Sequence, residues 1–205
     1  MQGKSLRELI KDGYTPSFED LKTLFLEMLN VLESFKPLNI IHRDIKPENI
    51  IKTDIMGWEY VLLDLGVAFI KDGLNFTTNQ SAIPGTLNYY APEMLKADFR
   101  ANLDFRADLY AIALTIYEFA TKRNPLVDSN GAVYQTLQNI DLKEVLNLQN
   151  VRTDLPVEFC ELINQSLKKR PFLRPGNIER LIKQVEAIVW NYLLRWGMGL
   201  VIKPL

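Results

Sequence analysis

The sequence predicts a mainly α-helical fold that carries one small β-hairpin. Apolar residues recur at three- and four-residue steps in several long stretches, the period of a helix with one buried face. Two short apolar runs, Asn49–Lys52 and Tyr60–Leu63, flank the turn-forming stretch Asp54–Gly57, the pattern of a hairpin. With 47% apolar and 24% charged residues, the chain has the balance of a soluble globular protein that can bury a sizeable core. No repeat, low-complexity tract or Pro/Gly/Ser-rich linker divides it, so residues 1–205 are expected to form a single domain.

The elements follow in order. Ser5-Leu6-Arg7-Glu8 has the form of a capping box, which starts a short helix that Asp12-Gly13 stops near Lys11. Ser17-Phe18-Glu19-Asp20 starts a longer one, with Leu21, Leu24, Phe25, Met28, Leu29 and Leu32 on one face and Pro37 at its end. The hairpin places Asp64 at the exit of its second strand. Residues 65–92 carry Gly66, Gly73, Pro84, Gly85 and Pro92 without periodicity, the mark of a long functional loop. Helices are expected over Asp108–Thr121, Val133–Asn139, Val157–Lys168 and Ile178–Arg195, the last including a buried apolar piece from Val185 to Leu194.

Charge and cysteine content narrow the function. With 24 basic and 25 acidic side chains there is no basic excess to hold nucleic acid. The single cysteine, Cys160, excludes an internal disulfide. No secretory signal is visible at Met1-Gln2-Gly3-Lys4-Ser5, and no window reaches the ~18 apolar residues of a membrane span, so a cytoplasmic location without membrane contact is expected. Lys168-Lys169-Arg170 reads as a solvated helix end. Cys160 lies in an apolar helical run with Phe159, Leu162 and Ile163, which reads as a packing position rather than half of a dyad with His42.

The chemistry concentrates in His42-Arg43-Asp44-Ile45-Lys46-Pro47-Glu48-Asn49 and in Asp64. Phosphoryl transfer is mostly positioning and charge neutralisation. A carboxylate such as Asp44 can take the proton of an attacking hydroxyl, and Lys46, two residues on, can screen the transferring phosphate. Asn49 and Asp64 offer hard oxygen ligands suited to Mg²⁺, and the hairpin between them brings them together. Taken singly, Asp44, Asn49 and Asp64 are also ordinary turn and cap residues.

These residues resemble the C-terminal lobe of the eukaryotic-type Ser/Thr protein kinases. His42–Asn49 matches the pattern H-R-D-x-K-x-x-N, and Asp64-Leu65-Gly66 the D-F-G position with Leu for Phe. Gly85-Thr86-Leu87-Asn88-Tyr89-Tyr90-Ala91-Pro92-Glu93 matches G-T-x-x-Y-x-A-P-E. Asp108-Leu109-Tyr110-Ala111 resembles the start of the central helix, and Arg174-Pro175 the late Arg-Pro. The likeness runs from about Gly3 to about Val189.

The resemblance implies a fold and a set of roles. The fold would be protein-kinase-like, the large lobe without the N-lobe. ATP and Mg²⁺ would be the cofactors and a protein Ser or Thr hydroxyl the acceptor. Asp44 would be the catalytic base and Lys46 the lysine of Ser/Thr-type members, both oriented by Thr86 in the acceptor pocket. Asn49 and Asp64 would hold Mg²⁺. Glu93 would pair with Arg174, Asp108 would bond the catalytic-loop backbone, and His42 would pack in the hydrophobic spine. Arg43 is the kind of arginine that pairs with a phosphate, for which Thr77, Thr78 and Ser81 are the candidate acceptors.

The departure from the family is an absence. No G-x-G-x-x-G loop, strand lysine or partner glutamate occurs in the sequence, and Met1–Leu6 resembles the residues just past the hinge. Half a cleft lacks most of the preorganisation the reaction needs, so weak turnover is expected of this chain alone. The face left bare near Leu65 and the hairpin is expected to favour self-association or a partner supplying the N-lobe. The competing expectations are an inert protein-binding module and a truncated gene product.

Overall fold

The computed structural model describes residues 3–54, 57–64, 69–70, 87–97, 99 and 103–189. Strand β1 (Gly3–Ser5) leads directly into helix α1 (Leu6–Lys11). Ser5 caps α1: its hydroxyl accepts the Glu8 N–H at 3.2 Å, and the Glu8 carboxylate accepts the Ser5 N–H at 2.8 Å. Ser17 and Asp20 repeat the device at the start of α2 (Phe18–Phe35). Phe18, Leu21, Leu24, Phe25, Met28, Leu29 and Leu32 are all buried, the face the spacing predicts. Pro37 has no N–H for the α-ladder, and the chain tightens into a 3₁₀ turn over Lys36–Leu38 before Asn39 turns left-handed at φ 51°.

The hairpin forms as β3 (Ile50–Thr53) and β4 (Tyr60–Leu62), after the two-residue strand β2 (Ile40–Ile41). Ile50 pairs with Leu62 and Lys52 with Tyr60, antiparallel. The sheet exceeds a hairpin, because β1 pairs along the other side of β3, from Gly3 opposite Thr53 to Ser5 opposite Ile51. Gly3 is required there: a Cβ would sit 2.5 Å from the Lys52 carbonyl oxygen. A second ladder joins β2 to β5 (Phe69–Ile70).

Helix α2 holds the hairpin by its polar side. The Glu27 carboxylate accepts the N–H groups of Glu59 (2.9 Å) and Tyr60 (2.5 Å). The Lys52 ammonium meets Asp20 at 2.7 Å, the Tyr60 hydroxyl at 3.0 Å and the Glu59 carboxylate. Trp58, at the turn, is 56% exposed.

Helix α3 (Phe105–Thr121) is the centre of the core. It begins three residues before the predicted Asp108, because Asp104 caps it by accepting the Arg106 N–H at 2.8 Å. Every residue from Ala107 to Ala120 is buried, so the helix is enclosed all round rather than on one face. Helices α4 (Val133–Leu142), α5 (Val157–Ser166) and α6 (Ile178–Glu186) complete the helical body. Helix α2 packs against α3 and α6, and α3 against α5. Phe159 of α5 meets Phe18 and Phe25 of α2 edge to face, with centroids 5.5 and 6.1 Å apart.

Three expectations need correction. Helix α5 stops at Ser166, with Leu167 as its cap, and not at Lys168. Helix α6 stops at Glu186, where the Lys22 ammonium of α2 takes the carbonyls of Glu186 (3.0 Å) and Ile188 (2.6 Å), and Val189 is 81% exposed; residues 190–195 of the expected helix lie outside the described residues. The Lys168-Lys169-Arg170 run is not solvated throughout. Lys169 donates to the carbonyls of Asn139 (3.1 Å) and Ile140 (2.7 Å) near the end of α4, and burial lowers its pKa to about 8. Among the described residues no helix is long and apolar enough to cross a membrane.

Candidate active site

The polar octapeptide lies in the loop between β2 and β3, pinned from below by Asp108 in the first turn of α3. One Asp108 oxygen accepts the His42 N–H at 2.7 Å, and the other the Arg43 N–H at 2.8 Å. Burial drives the Asp108 pKa up to about 6, against the pull of those two N–H groups. Arg43 adopts φ 67°, a left-handed conformation that a non-glycine residue keeps only when its surroundings hold it there. His42 is fully buried and stacked on Phe35, with centroids 6.4 Å apart. Burial lowers its pKa, so the ring is neutral, and its Nδ1 accepts the Asp44 N–H at 3.3 Å.

The Asp44 carboxylate is the point of convergence. Lys46 Nζ donates to Oδ1 at 2.9 Å and to Oδ2 at 2.8 Å. Asn49 Nδ2 donates to Oδ2 and to the Asp44 carbonyl, each at 2.9 Å. A turn closed by Asn49 N–H to the Lys46 carbonyl (3.0 Å) sets this spacing. With its amide nitrogen committed to Asp44, Asn49 keeps a carbonyl oxygen to offer a cation.

The hairpin brings the exit of β4 to the same place. The Leu63 N–H bonds the Asn49 carbonyl at 2.7 Å, which sets the next residue, Asp64, beside Asn49 although the two lie fifteen positions apart. Asp64 is exposed and left-handed, with φ 64°. Leu65, Gly66, Thr77, Thr78, Ser81 and Thr86 lie outside the described residues.

Glu93 and Arg174 form a second, structural cluster. The Arg174 guanidinium meets Glu93 through two bonds of 2.6 and 2.8 Å. It also donates to the carbonyls of Lys168 (2.7 Å), Arg106 (2.9 Å) and Lys169 (3.1 Å). The guanidinium lies 4.7 Å from the centre of the Tyr110 ring. Cys160 is fully buried, and burial pushes its thiol up to about 12, which keeps it protonated and inert.

Sequence reasoning gave no role to the side chains of Arg7, Tyr89 and Glu118. Arg7 of α1 donates to Glu48 at 2.7 Å, to Glu118 at 2.6 Å and to the Tyr89 hydroxyl at 2.5 Å, and that hydroxyl donates to Glu118 at 2.5 Å. A lone carboxylate in the apolar run Leu114–Ala120 was the available signal, since a buried acid needs a partner.

Residues 1–189 match the family model described as the protein kinase domain, and the chain belongs to that family. It is similar to a probable serine/threonine-protein kinase of Clostridium perfringens, 27% identical over 188 residues, covering 92% of this chain and 26% of the relative. It is 34% identical over 190 residues to a probable serine/threonine-protein kinase of Streptomyces coelicolor, covering 91% of this chain and 27% of the relative. The rhodopsin kinase of Rattus norvegicus is 28% identical over 204 residues, covering 94% of this chain and 34% of the relative. The chain thus spans between 26% and 34% of the length of these curated relatives.

Proposed function

We propose that this chain is the C-terminal lobe of a Ser/Thr protein kinase, which transfers the γ-phosphate of ATP to a hydroxyl of a protein substrate once an N-lobe completes the cleft. The observation that carries the reading is the convergence of Lys46 and Asn49 on the Asp44 carboxylate. The glycine-rich loop and strand lysine are not among the 205 residues. A segment ahead of Met1 or a separate partner would supply them, and the surface around Trp58 is where such a partner or a second copy would sit.

In this reading Asp44 accepts the proton of the acceptor hydroxyl, and Lys46, already paired with Asp44, adds positive charge beside the attack path. Asn49 and Asp64 fit a Mg²⁺ site. Among the described residues no cluster of three or more His, Cys, Asp or Glu side chains offers a full protein cage, and two oxygen ligands leave the remaining positions to phosphate and water, the arrangement Mg²⁺ favours. Mg²⁺ supplies neutralisation of the phosphate charge. Thr86 would steady Asp44 and Lys46 from the acceptor side, and Arg43 would receive a phosphate placed on Thr77, Thr78 or Ser81.

The alternative is an inert kinase-like binding module or truncated product. Transfer of labelled phosphate to a protein acceptor, with and without an added N-lobe, separates the two. Asp44→Asn is expected to reduce label by 10²-fold or more, the ordinary contribution of a positioned base. Equal label in wild type and Asp44→Asn would sink the enzymatic reading.

A further inference from the structure

We propose that Arg7 is a positioning residue that sets the register of the Asp44 loop against the segment following Thr86; the activity arm of its test rests on the function proposed above. Arg7 lies in the first turn of a six-residue helix, where a backbone N–H has no partner within the helix. That N–H bonds the Pro47 carbonyl at 3.1 Å, one residue from Glu48, which the Arg7 side chain also binds at 2.7 Å. Main chain and side chain of one residue therefore grip the loop three and four positions after Asp44.

The rest of the guanidinium faces the other wall. It meets Glu118 and the Tyr89 hydroxyl, and Tyr89 closes the triangle onto Glu118. Tyr89 is buried and lies three residues after Thr86, where the acceptor polypeptide would run in the proposed kinase. The Glu118 side chain is only 5% exposed, so solvent does little to replace what Arg7 gives it. A planar fork can hold three partners in fixed directions, which an ammonium cannot.

Amide hydrogen exchange on the 205-residue chain tests the positioning without any need for activity. Arg7→Met is expected to speed exchange about tenfold or more at both Glu48–Asn49 and Tyr89–Leu95, in line with loss of charge-assisted bonds. Arg7→Lys should fall between. Lys4→Met, which breaks an exposed ion pair in the same region, should change neither segment. Faster exchange confined to α1, or in one segment only, overturns the proposal. If Arg7→Met fails to fold, Tyr89→Phe, which deletes one hydroxyl, must still loosen Tyr89–Leu95, and no change there overturns it as well.

In the completed enzyme, Arg7→Lys should raise KM for the protein acceptor several-fold while KM for ATP stays constant. A purely structural role would lower the melting temperature and the active fraction and leave both KM values alone. If wild type transfers phosphate and Arg7→Lys keeps the wild-type acceptor KM, the Arg7 assignment fails and the kinase reading stands. If wild type transfers none, the kinase reading fails and exchange alone decides on Arg7.

Discussion

Arg174 and Glu93, 81 positions apart, meet through two parallel hydrogen bonds, and the arginine side chain has no exposure to solvent. Five bonds use all five of its N–H groups. Removing one partner of a buried pair is costly, because the other keeps its charge without compensation. Arg174→Met is therefore expected to cost about 3–5 kcal/mol. Glu93→Gln should cost less, since three carbonyl bonds to Arg174 survive. Chemical denaturation of both variants measures the difference; equal costs would mean that the carbonyl bonds carry little.

Asp108 accepts two backbone N–H groups of the loop, those of His42 and Arg43. Asp108→Asn places an NH₂ group against one of them, donor facing donor, at a cost of about 1–3 kcal/mol. The expected outcome is a folded chain with faster exchange at His42 and Arg43 and, in the proposed enzyme completed by an N-lobe, reduced phosphate transfer. Unchanged exchange at both amides would contradict the pinning role.

Two carboxylates titrate in opposite senses. Burial opposes ionisation of Asp20, but Lys52 and Ser17 outweigh it and lower its pKa to about 2. Its contribution is fully present above its unfolded value near pH 4 and is lost as pH falls toward 2. Asp108, raised to about 6, holds more protons folded than unfolded between pH 4 and 6, so its contribution falls as pH rises through that window. Stability measured against pH for wild type, Asp20→Asn and Asp108→Asn should show difference curves confined to these two windows and opposite in slope.

Gly3 allows β1 to approach β3. An added Cβ would meet the Lys52 carbonyl oxygen at 2.5 Å and the Ile51 side chain at 2.7 Å, and backbone cannot step aside cheaply. Gly3→Ala is expected to unpair β1 and lower stability by about 1–3 kcal/mol, as overpacking does. Wild-type exchange rates at the β1–β3 ladder in the variant would refute this.

Local patterns were the legible part of the fold. Both capping boxes mark their helix starts, and the periodic face of α2 is the buried one. Strand β1 escaped notice because three residues, one of them glycine, show no alternation, and β2 and β5 are two residues each. The end of α6 was misread because the apolar run continues past Glu186 while Lys22, which holds the carbonyl there, lies 164 positions away. In the site, Asp44, Lys46 and Asn49 fall within six residues, so the sequence displays them together. Arg7 and Glu118 are 111 positions apart, and no spacing rule connects them.

Helix α3 carries Asp108 near one end and Glu118 near the other, ~15 Å along its axis at the rise of an α-helix. The Asp44 loop hangs from the first, and Tyr89 from the second. Both walls of the candidate site are thus measured off one enclosed ruler. A rigid shift or tilt of α3 carries them as a common displacement and leaves their separation unaltered. Only motions that stretch or bend the helix change the gap, so a site built from loops keeps its working tolerance in a single rod.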